Sequence, residues 1–133
     1  MNLLITPLIR LGVTGGRLHI LTVPGRKTGR RYSTPVSLVI DDGTRWLVAP
    51  YGEREWVKNA RAAGEVELTR ARKTTRHRIE KVGPEEAAPV LREYLRTTRI
   101  VKPFFDATPD APLEAFAAEA SRHPVFRLLD AQR

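Results

Sequence analysis

Between two apolar runs the chain reads Pro24-Gly25-Arg26-Lys27-Thr28-Gly29-Arg30-Arg31, a basic, hydroxyl-bearing loop with a glycine near either end. Glycine lets the backbone turn tightly and bring its N–H groups close to a ligand. Lysine adds a point charge and arginine a planar fork of donors, and both suit phosphate and carboxylate oxygens. Two readings follow from the residues. The loop either cradles a small anionic ligand at the mouth of a β-structure, or is a hairpin loop whose charges face water.

Other chemistry is sparse. The chain has no cysteine, which excludes disulfides and thiolate catalysis. His19, His77 and His123 stand far apart with none of the spacings of metal ligands, so no metal is expected. No dedicated catalytic residue stands out. The 23 Lys and Arg against 15 Asp and Glu give a formal charge of +8, which favours an anionic partner: nucleic acid, an acidic membrane surface or a polyanionic cofactor. A second basic cluster, from Arg70 to Arg78, reads by default as a solvated hairpin.

The elements that position the first loop are strands. Leu18 to Val23 stops at Pro24-Gly25, and Tyr32 to Ile40 ends in the hairpin signal Asp41-Asp42-Gly43. Arg45 to Ala49 makes a third strand. Pro35 inside the second run predicts an edge, a bulge or a bend in a closing barrel. From Glu53 to Ala63 the period becomes helical, with Trp56, Ala60 and Ala63 on one face and Gly64 as the stop. Glu65 to Thr69 alternates as a strand, and Thr74 to Val82 pairs with it across Arg70-Ala71-Arg72-Lys73.

Gly83-Pro84-Glu85-Glu86 opens a helix whose apolar face is Ala87, Val90, Leu91, Tyr94 and Leu95. A short helix carrying Leu113, Phe116, Ala117 and Ala120 follows Asp110, and Pro124 to Leu129 closes the chain as a strand. With 133 residues and no repeats or linkers, the expectation is one domain over residues 1–133. It is an α+β fold, a small barrel of about six strands with helices packed outside.

Residues 1–16 are expected to be helical or irregular. The apolar start, Met1 to Leu11, lacks the basic region and cleavage site of a signal peptide and is too short to span a bilayer. It reads as a cap on one end of the core, with a peripheral membrane contact through Leu4, Leu8 and Leu11 as the second reading. A cytoplasmic location is expected.

Several segments in order carry a resemblance: Leu21-Thr22-Val23-Pro24-Gly25-Arg26-Lys27-Thr28-Gly29, Ser33-Thr34-Pro35, Tyr51-Gly52, and Trp56-Val57-Lys58-Asn59-Ala60-Arg61-Ala62. From about Ile20 to Leu68 the chain resembles the deazaflavin-dependent nitroreductase family. That family is a branch of the split β-barrel flavin-binding (FMN-binding-like) superfamily, typical of actinobacteria. The resemblance implies coenzyme F-420, an 8-hydroxy-5-deazaflavin with a phosphate and an oligoglutamate tail.

The resemblance further implies that Arg26, Lys27, Thr28, Arg31, Ser33 and Thr34 contact the phosphate and acidic tail, with Pro35 following into the barrel wall. Val48-Ala49-Pro50-Tyr51-Gly52 would run along the deazaflavin ring, and Asn59 and Trp56 sit on the next helix. The implied activity is hydride transfer from the reduced cofactor to a small-molecule enone, quinone or nitro acceptor, with Tyr51, Ser33 or solvent as proton donor. Tyr94, Phe104, Phe105 and Phe116 are aromatics able to shape that pocket or the core.

The chain departs from the family pattern at Pro24, where threonine is common, and at Gly64, where proline is common. The interval from Tyr51-Gly52 to Trp56 is also shorter than the family's, which implies an enlarged or reshaped substrate entrance. Two alternatives stand beside this reading. One is the same barrel binding FMN. The other is a basic nucleic-acid-binding module using Arg26, Lys27, Arg30, Arg31, Arg70, Arg72, Lys73 and Arg76, for which Tyr32 and Trp46 are the only aromatic candidates. Because split barrels often pair, a homodimer is also considered.

Overall fold

The computed structural model describes residues 18–130, so the readings made for the N-terminal segment lie outside the described residues. Strands β1 (Leu18–Pro24), β2 (Arg31–Asp41) and β3 (Thr44–Val48) are followed by helix α1 (Glu55–Ala63). Strands β4 (Glu65–Arg70) and β5 (Lys73–Lys81) then lead into α2 (Pro84–Thr97), a 3-10 segment (Arg99–Phe104), α3 (Leu113–Ala118), a short 3-10 turn (Ala120–Arg122) and β6 (Val125–Asp130). The strands close into an antiparallel barrel in the order β1-β2-β3-β6-β5-β4.

Alternation within the strands divides the apolar residues between two cores. Leu21, Val23, Val36, Leu38, Leu47, Val66, Leu68 and Phe126 fill the barrel, and Val57 and Ala60 of α1 pack into the same cluster. On the other face of β2, β3 and β6, Val39, Trp46, Val48 and Val125 are covered by the apolar stripe of α2 together with Phe105 and Phe116. That stripe is the one its period predicts, since Ala87, Val90, Leu91, Tyr94 and Leu95 are all buried. Truncating Leu91 or Phe116, both fully buried, to alanine would cost about 3–5 kcal/mol through lost transfer energy and the cavity left behind.

The turns set the register. Asp42 and Gly43 both have positive φ (51° and 80°), the left-handed pair that matches the twist of a two-residue hairpin. The β4–β5 turn uses the same conformation at Ala71 (φ 54°) and Arg72 (φ 64°), which lack the permissive residue types and so store roughly 1 kcal/mol each. Helix α1 ends at Gly64, in the left-handed region at φ 78°, as its position in the sequence predicts.

Helix α1 differs from expectation in its buried face. Val57, Asn59 and Ala60 are buried, whereas Ala63 is exposed and Trp56 is half-buried. The helix starts at Glu55 rather than Glu53, and Trp56 lines the cleft beside the 24–31 loop with Asn59 while also packing against the barrel core.

Pro35 sits where the barrel splits. The β2–β3 ladder stops at Leu38–Leu47, while the β1–β2 ladder runs on to Pro24–Arg31. Residues 31–37 of β2 therefore pair on one side only, which is where a strand tolerates proline. The chain leaving β3 at Val48 diverges from them and opens a cleft.

Candidate functional site

The 24–31 loop is held from within and from α1. Gly25 N–H donates to the Arg30 carbonyl (2.6 Å), and Gly29 N–H donates to the Gly25 carbonyl (2.8 Å), with Gly29 at φ +78°. A Cβ on Gly25 would meet the Tyr32 ring at 2.8 Å and the Arg30 carbonyl at 3.3 Å, so no larger residue fits without a shift. Thr28 Oγ1 accepts from Arg30 N–H at 3.2 Å.

Asn59, buried on α1, ties the loop to the helix. Its Oδ1 accepts from the Arg26 backbone N–H (3.0 Å) and from Arg26 Nη1 (2.7 Å). Arg26 Nη1 also meets Glu55 Oε1 at 3.1 Å. The hydrogen bond and charge of Arg26, joined by Lys58 and Lys27, hold the Glu55 carboxyl below the usual carboxylate range. The N–H groups of Gly25, Arg26, Gly29 and Arg30 are thus taken, which leaves those of Lys27 and Thr28 at the tip without a protein acceptor among the described residues. The Lys27 ammonium makes no ion pair there either.

Three clefts run in series beside this loop. The first, of about 430 Å³, is lined by Gly25, Arg26, Lys27, Thr28, Tyr32, Glu55, Trp56 and Asn59. The second, of about 390 Å³, occupies the split in the barrel. Its walls are Thr34, Pro35 and Val36 of β2 on one side and Val48, Pro50 and Tyr51 on the other, with Trp56, Tyr94 and Thr98 completing it. Trp56 lines both clefts, which makes them neighbours. The third, of about 400 Å³, shares Pro50 and Tyr51 with the second and adds Gly52, Phe104 and His123.

The aromatic wall has its own geometry. Tyr51 meets Phe104 edge-on with centroids 4.6 Å apart, and the Arg54 guanidinium lies 5.5 Å from the Tyr51 centroid. Burial, with Tyr51 nearby, pushes the Tyr94 hydroxyl far above the ordinary tyrosine value, so Tyr94 stays a neutral phenol. The buried Thr98 Oγ1 has no hydrogen-bond partner among the described residues.

Of the residues the sequence singles out, Arg26, Lys27, Thr28 and Asn59 gather at the first cleft, and Thr34, Pro35, Val48, Pro50 and Tyr51 at the second. Gly52, at φ 88°, lines the third. Three residues stand apart. Arg31 pairs with Glu67, Ser33 Oγ shares a hydrogen bond with Thr22 Oγ1 (2.8 Å), and Ala49 is sealed in the barrel core. Arg31 and Ser33 line neither of the first two clefts. Phe105 and Phe116 belong to the core under α2.

Among the residues not singled out for the site are Glu55, Arg54, Thr98 and His123. Glu55 was legible, because it stands four residues before Asn59 and therefore on the same helical face. Thr98 lies four residues after Tyr94, but α2 ends at Thr97, so the helical period could not vouch for it.

Among the described residues no three His, Cys, Asp or Glu side chains come together as a metal site, and no helix is long and apolar enough to cross a membrane. The donor set instead suits an elongated anion with a flat aromatic end. Free N–H groups and a free ammonium stand in the first of the neighbouring clefts. Indole, phenol, proline and valine walls stand in the second.

The sequence profile of the F420H2-dependent quinone reductase family matches residues 9–102. A search of curated proteins finds no match. Among solved structures, a protein of unknown function from Agrobacterium tumefaciens is similar at 17% identity and TM-score 0.64 over 93% of this chain and 52% of its own, so the chain spans about half that protein's length. An F420-H2 dependent reductase matches at 18% identity and TM-score 0.57, covering 84% of this chain and 93% of its own. A structure described as a domain-swapped dimer matches at 17% identity and TM-score 0.58, covering 87% and 82%. At these identities the structural likeness is one of fold, a split β-barrel.

Proposed function

The chain belongs to the F420H2-dependent quinone reductase family, whose redox cofactor is coenzyme F-420, and we propose that it is a reductase delivering hydride to a flat, conjugated small molecule. Quinones come first, with enone and nitro compounds as further acceptors. The observation that carries this reading is the pair of neighbouring clefts that share Trp56, cationic on the loop side and apolar on the barrel-split side. Their residues fit the two halves of the cofactor.

Lys27, Thr28 and the free N–H groups at the loop tip would hold the phosphate and acidic tail, a charge-assisted task suited to a short, pre-shaped loop. Arg26 contributes by shaping that loop, because its guanidinium is already engaged by Asn59 and Glu55. Thr34, Pro35, Val48, Pro50, Tyr51 and Trp56 would enclose the ring. The bound cofactor supplies the hydride, and the protein supplies orientation and exclusion of water.

The proton that the reduced acceptor needs comes from Tyr51, which lines the ring cleft beside Tyr94, or from solvent. Tyr94 is held protonated at neutral pH by burial, which suits it to donate a hydrogen bond to an acceptor oxygen rather than to ionise. Ser33 drops out of this role because its hydroxyl is turned to Thr22 on the barrel exterior.

The test is oxidation of reduced coenzyme F-420, followed by absorbance, with a benzoquinone, a nitroaromatic and a cyclic enone in parallel. Turnover with the quinone supports the reading, and binding of the cofactor without turnover of any acceptor rejects it. FMN titrated under the same conditions separates the flavin alternative.

The nucleic-acid alternative loses one of its two aromatics, since Trp46 is buried beneath α2 and Tyr32 alone stays exposed, on the wall of the loop cleft. Residues 1–133 as one domain, a cytoplasmic location and pairing into a homodimer remain part of the proposal. Light scattering of the purified chain tests the pairing.

A further inference from the structure

We propose that His123 is a positioning residue for the ring cleft, holding the Pro50–Gly52 segment in place through a buried, doubly hydrogen-bonded imidazole. This rests on the reading above in which that segment lines the ring.

His123 and Glu119 are both only 2% exposed, an unusual state for two ionisable side chains in a small domain. His123 Nε2 lies 2.8 Å from Glu119 Oε1, and His123 Nδ1 lies 2.8 Å from the Pro50 carbonyl oxygen. A carbonyl can only accept, so Nδ1 carries a proton. Glu119 is an acceptor as well, because its Oε1 and Oε2 take the backbone N–H groups of Asp106 (3.1 Å) and Ala107 (2.7 Å). Nδ1–H therefore donates to Pro50, and Nε2 closes the second contact, to the Glu119 carboxyl.

The imidazole has no freedom to turn away. Phe105 stacks on it with centroids 3.9 Å apart and planes 11° from parallel. The remaining charged neighbours lie at the rim: Arg122 Nη2 stands 3.5 Å from Glu119 Oε1 and 2.6 Å from Asp106 Oδ2.

The backbone beside His123 grips the same segment. Ala49 N–H donates to the Pro124 carbonyl (2.8 Å), and a Cβ on Gly52 would rest 3.6 Å from the Arg122 carbonyl. The segment's own bonds are few: Gly52 N–H to Ala49 O at 3.3 Å and Arg54 N–H to Gly52 O at 2.9 Å. Tyr51, which lines both the ring cleft and the third cleft, is thus carried on a strap whose backbone is hydrogen-bonded, among the described residues, by the side chain of His123. A buried pair of this kind is a poor source of stability next to an apolar replacement. Its use here is to fix a wall in advance of binding, which lowers the ordering cost when a ligand arrives.

Two amide substitutions separate anchoring from packing. The side-chain nitrogen of asparagine overlays imidazole Nδ1, so His123→Asn keeps a donor for Pro50 and loses Glu119. Glutamine reaches the Nε2 position, so His123→Gln keeps Glu119 and loses Pro50. Each breaks one buried bond, so their melting temperatures should fall together. With the full chain, the proposal expects amide exchange at Gly52 and Arg54 to quicken about tenfold in His123→Gln and to stay near wild type in His123→Asn. Affinity for oxidised coenzyme F-420 should follow the same split, about tenfold weaker in Gln and within twofold in Asn.

Equal exchange and affinity losses in both variants, tracking the melting temperature, would overturn the proposal. Should neither variant fold, 15N spectra of the wild-type imidazole decide it, because an Nδ1 without a proton contradicts the Pro50 bond. Failure of the wild type to bind the cofactor would sink the functional reading while leaving the exchange and imidazole measurements to judge the anchor.

Discussion

The buried Oδ1 of Asn59 accepts two hydrogen bonds from one residue, from the Arg26 backbone N–H at 3.0 Å and from Arg26 Nη1 at 2.7 Å. This double bond fixes both the path of the loop and the direction of its first cation. Asn59→Ala leaves both Arg26 donors without that acceptor and should cost about 1–3 kcal/mol of stability, read by urea denaturation. It should also weaken coenzyme F-420 binding. Unchanged affinity in a destabilised Asn59→Ala protein would mean that the loop's shape is unimportant to the ligand.

Glu55 places a carboxylate beside the cations of the loop cleft, with its side chain 73% exposed. An anionic ligand must tolerate that charge. Glu55→Gln should tighten binding of oxidised coenzyme F-420 about twofold to fivefold at low salt, and the gain should shrink as salt screens it. Weaker binding in the variant would show that the Glu55–Arg26 pair serves to shape the site.

Trp56 is shared by the two clefts, whereas Trp46 is buried beneath α2 with the Arg127 guanidinium 5.2 Å from its ring. Ligand binding should therefore quench tryptophan emission through Trp56. Trp46→Phe should retain the quench and Trp56→Phe should abolish it. A quench surviving in Trp56→Phe would place the ligand elsewhere.

Glu119 makes acid stability measurable. Burial pushes its carboxyl up, but the His123 hydrogen bond and the N–H groups of Asp106 and Ala107 outweigh that and hold it below the ordinary value of 4.5. A carboxyl depressed in the folded state contributes stability that is fully present above its unfolded value and is lost as pH falls through the folded one. The stability gap between wild type and Glu119→Gln should therefore be widest near neutrality and narrow below about pH 4.5. Urea melts at pH 7, 5, 4 and 3 check this, and a gap that does not change with pH would contradict it.

Period and punctuation made most of the fold legible. The strand alternation, the Asp42-Gly43 turn, the Gly64 stop and the α2 stripe each express a local rule, and each appears in place. The barrel's closure and the split beside Pro35 come from which ladders end first, and no local pattern encodes that. The same limit governs the site. The loop cations and the Val48–Gly52 run could be named from their types, but Arg31 and Ser33 are engaged by Glu67 and Thr22, partners on other strands that their residue types do not announce. The buried role of His123 depends on Glu119 and Pro50, the latter 73 positions away, and no spacing in the sequence announced it.

Oxidised coenzyme F-420 titrated against wild type, Lys27→Ala and Arg31→Ala, followed by ligand fluorescence, tests the central claim most directly. Lys27 lines the loop cleft while Arg31 is paired with Glu67 outside it. The account predicts saturable binding that weakens about tenfold in Lys27→Ala and stays within twofold of wild type in Arg31→Ala. No saturable binding, or equal losses in the two variants, would contradict it.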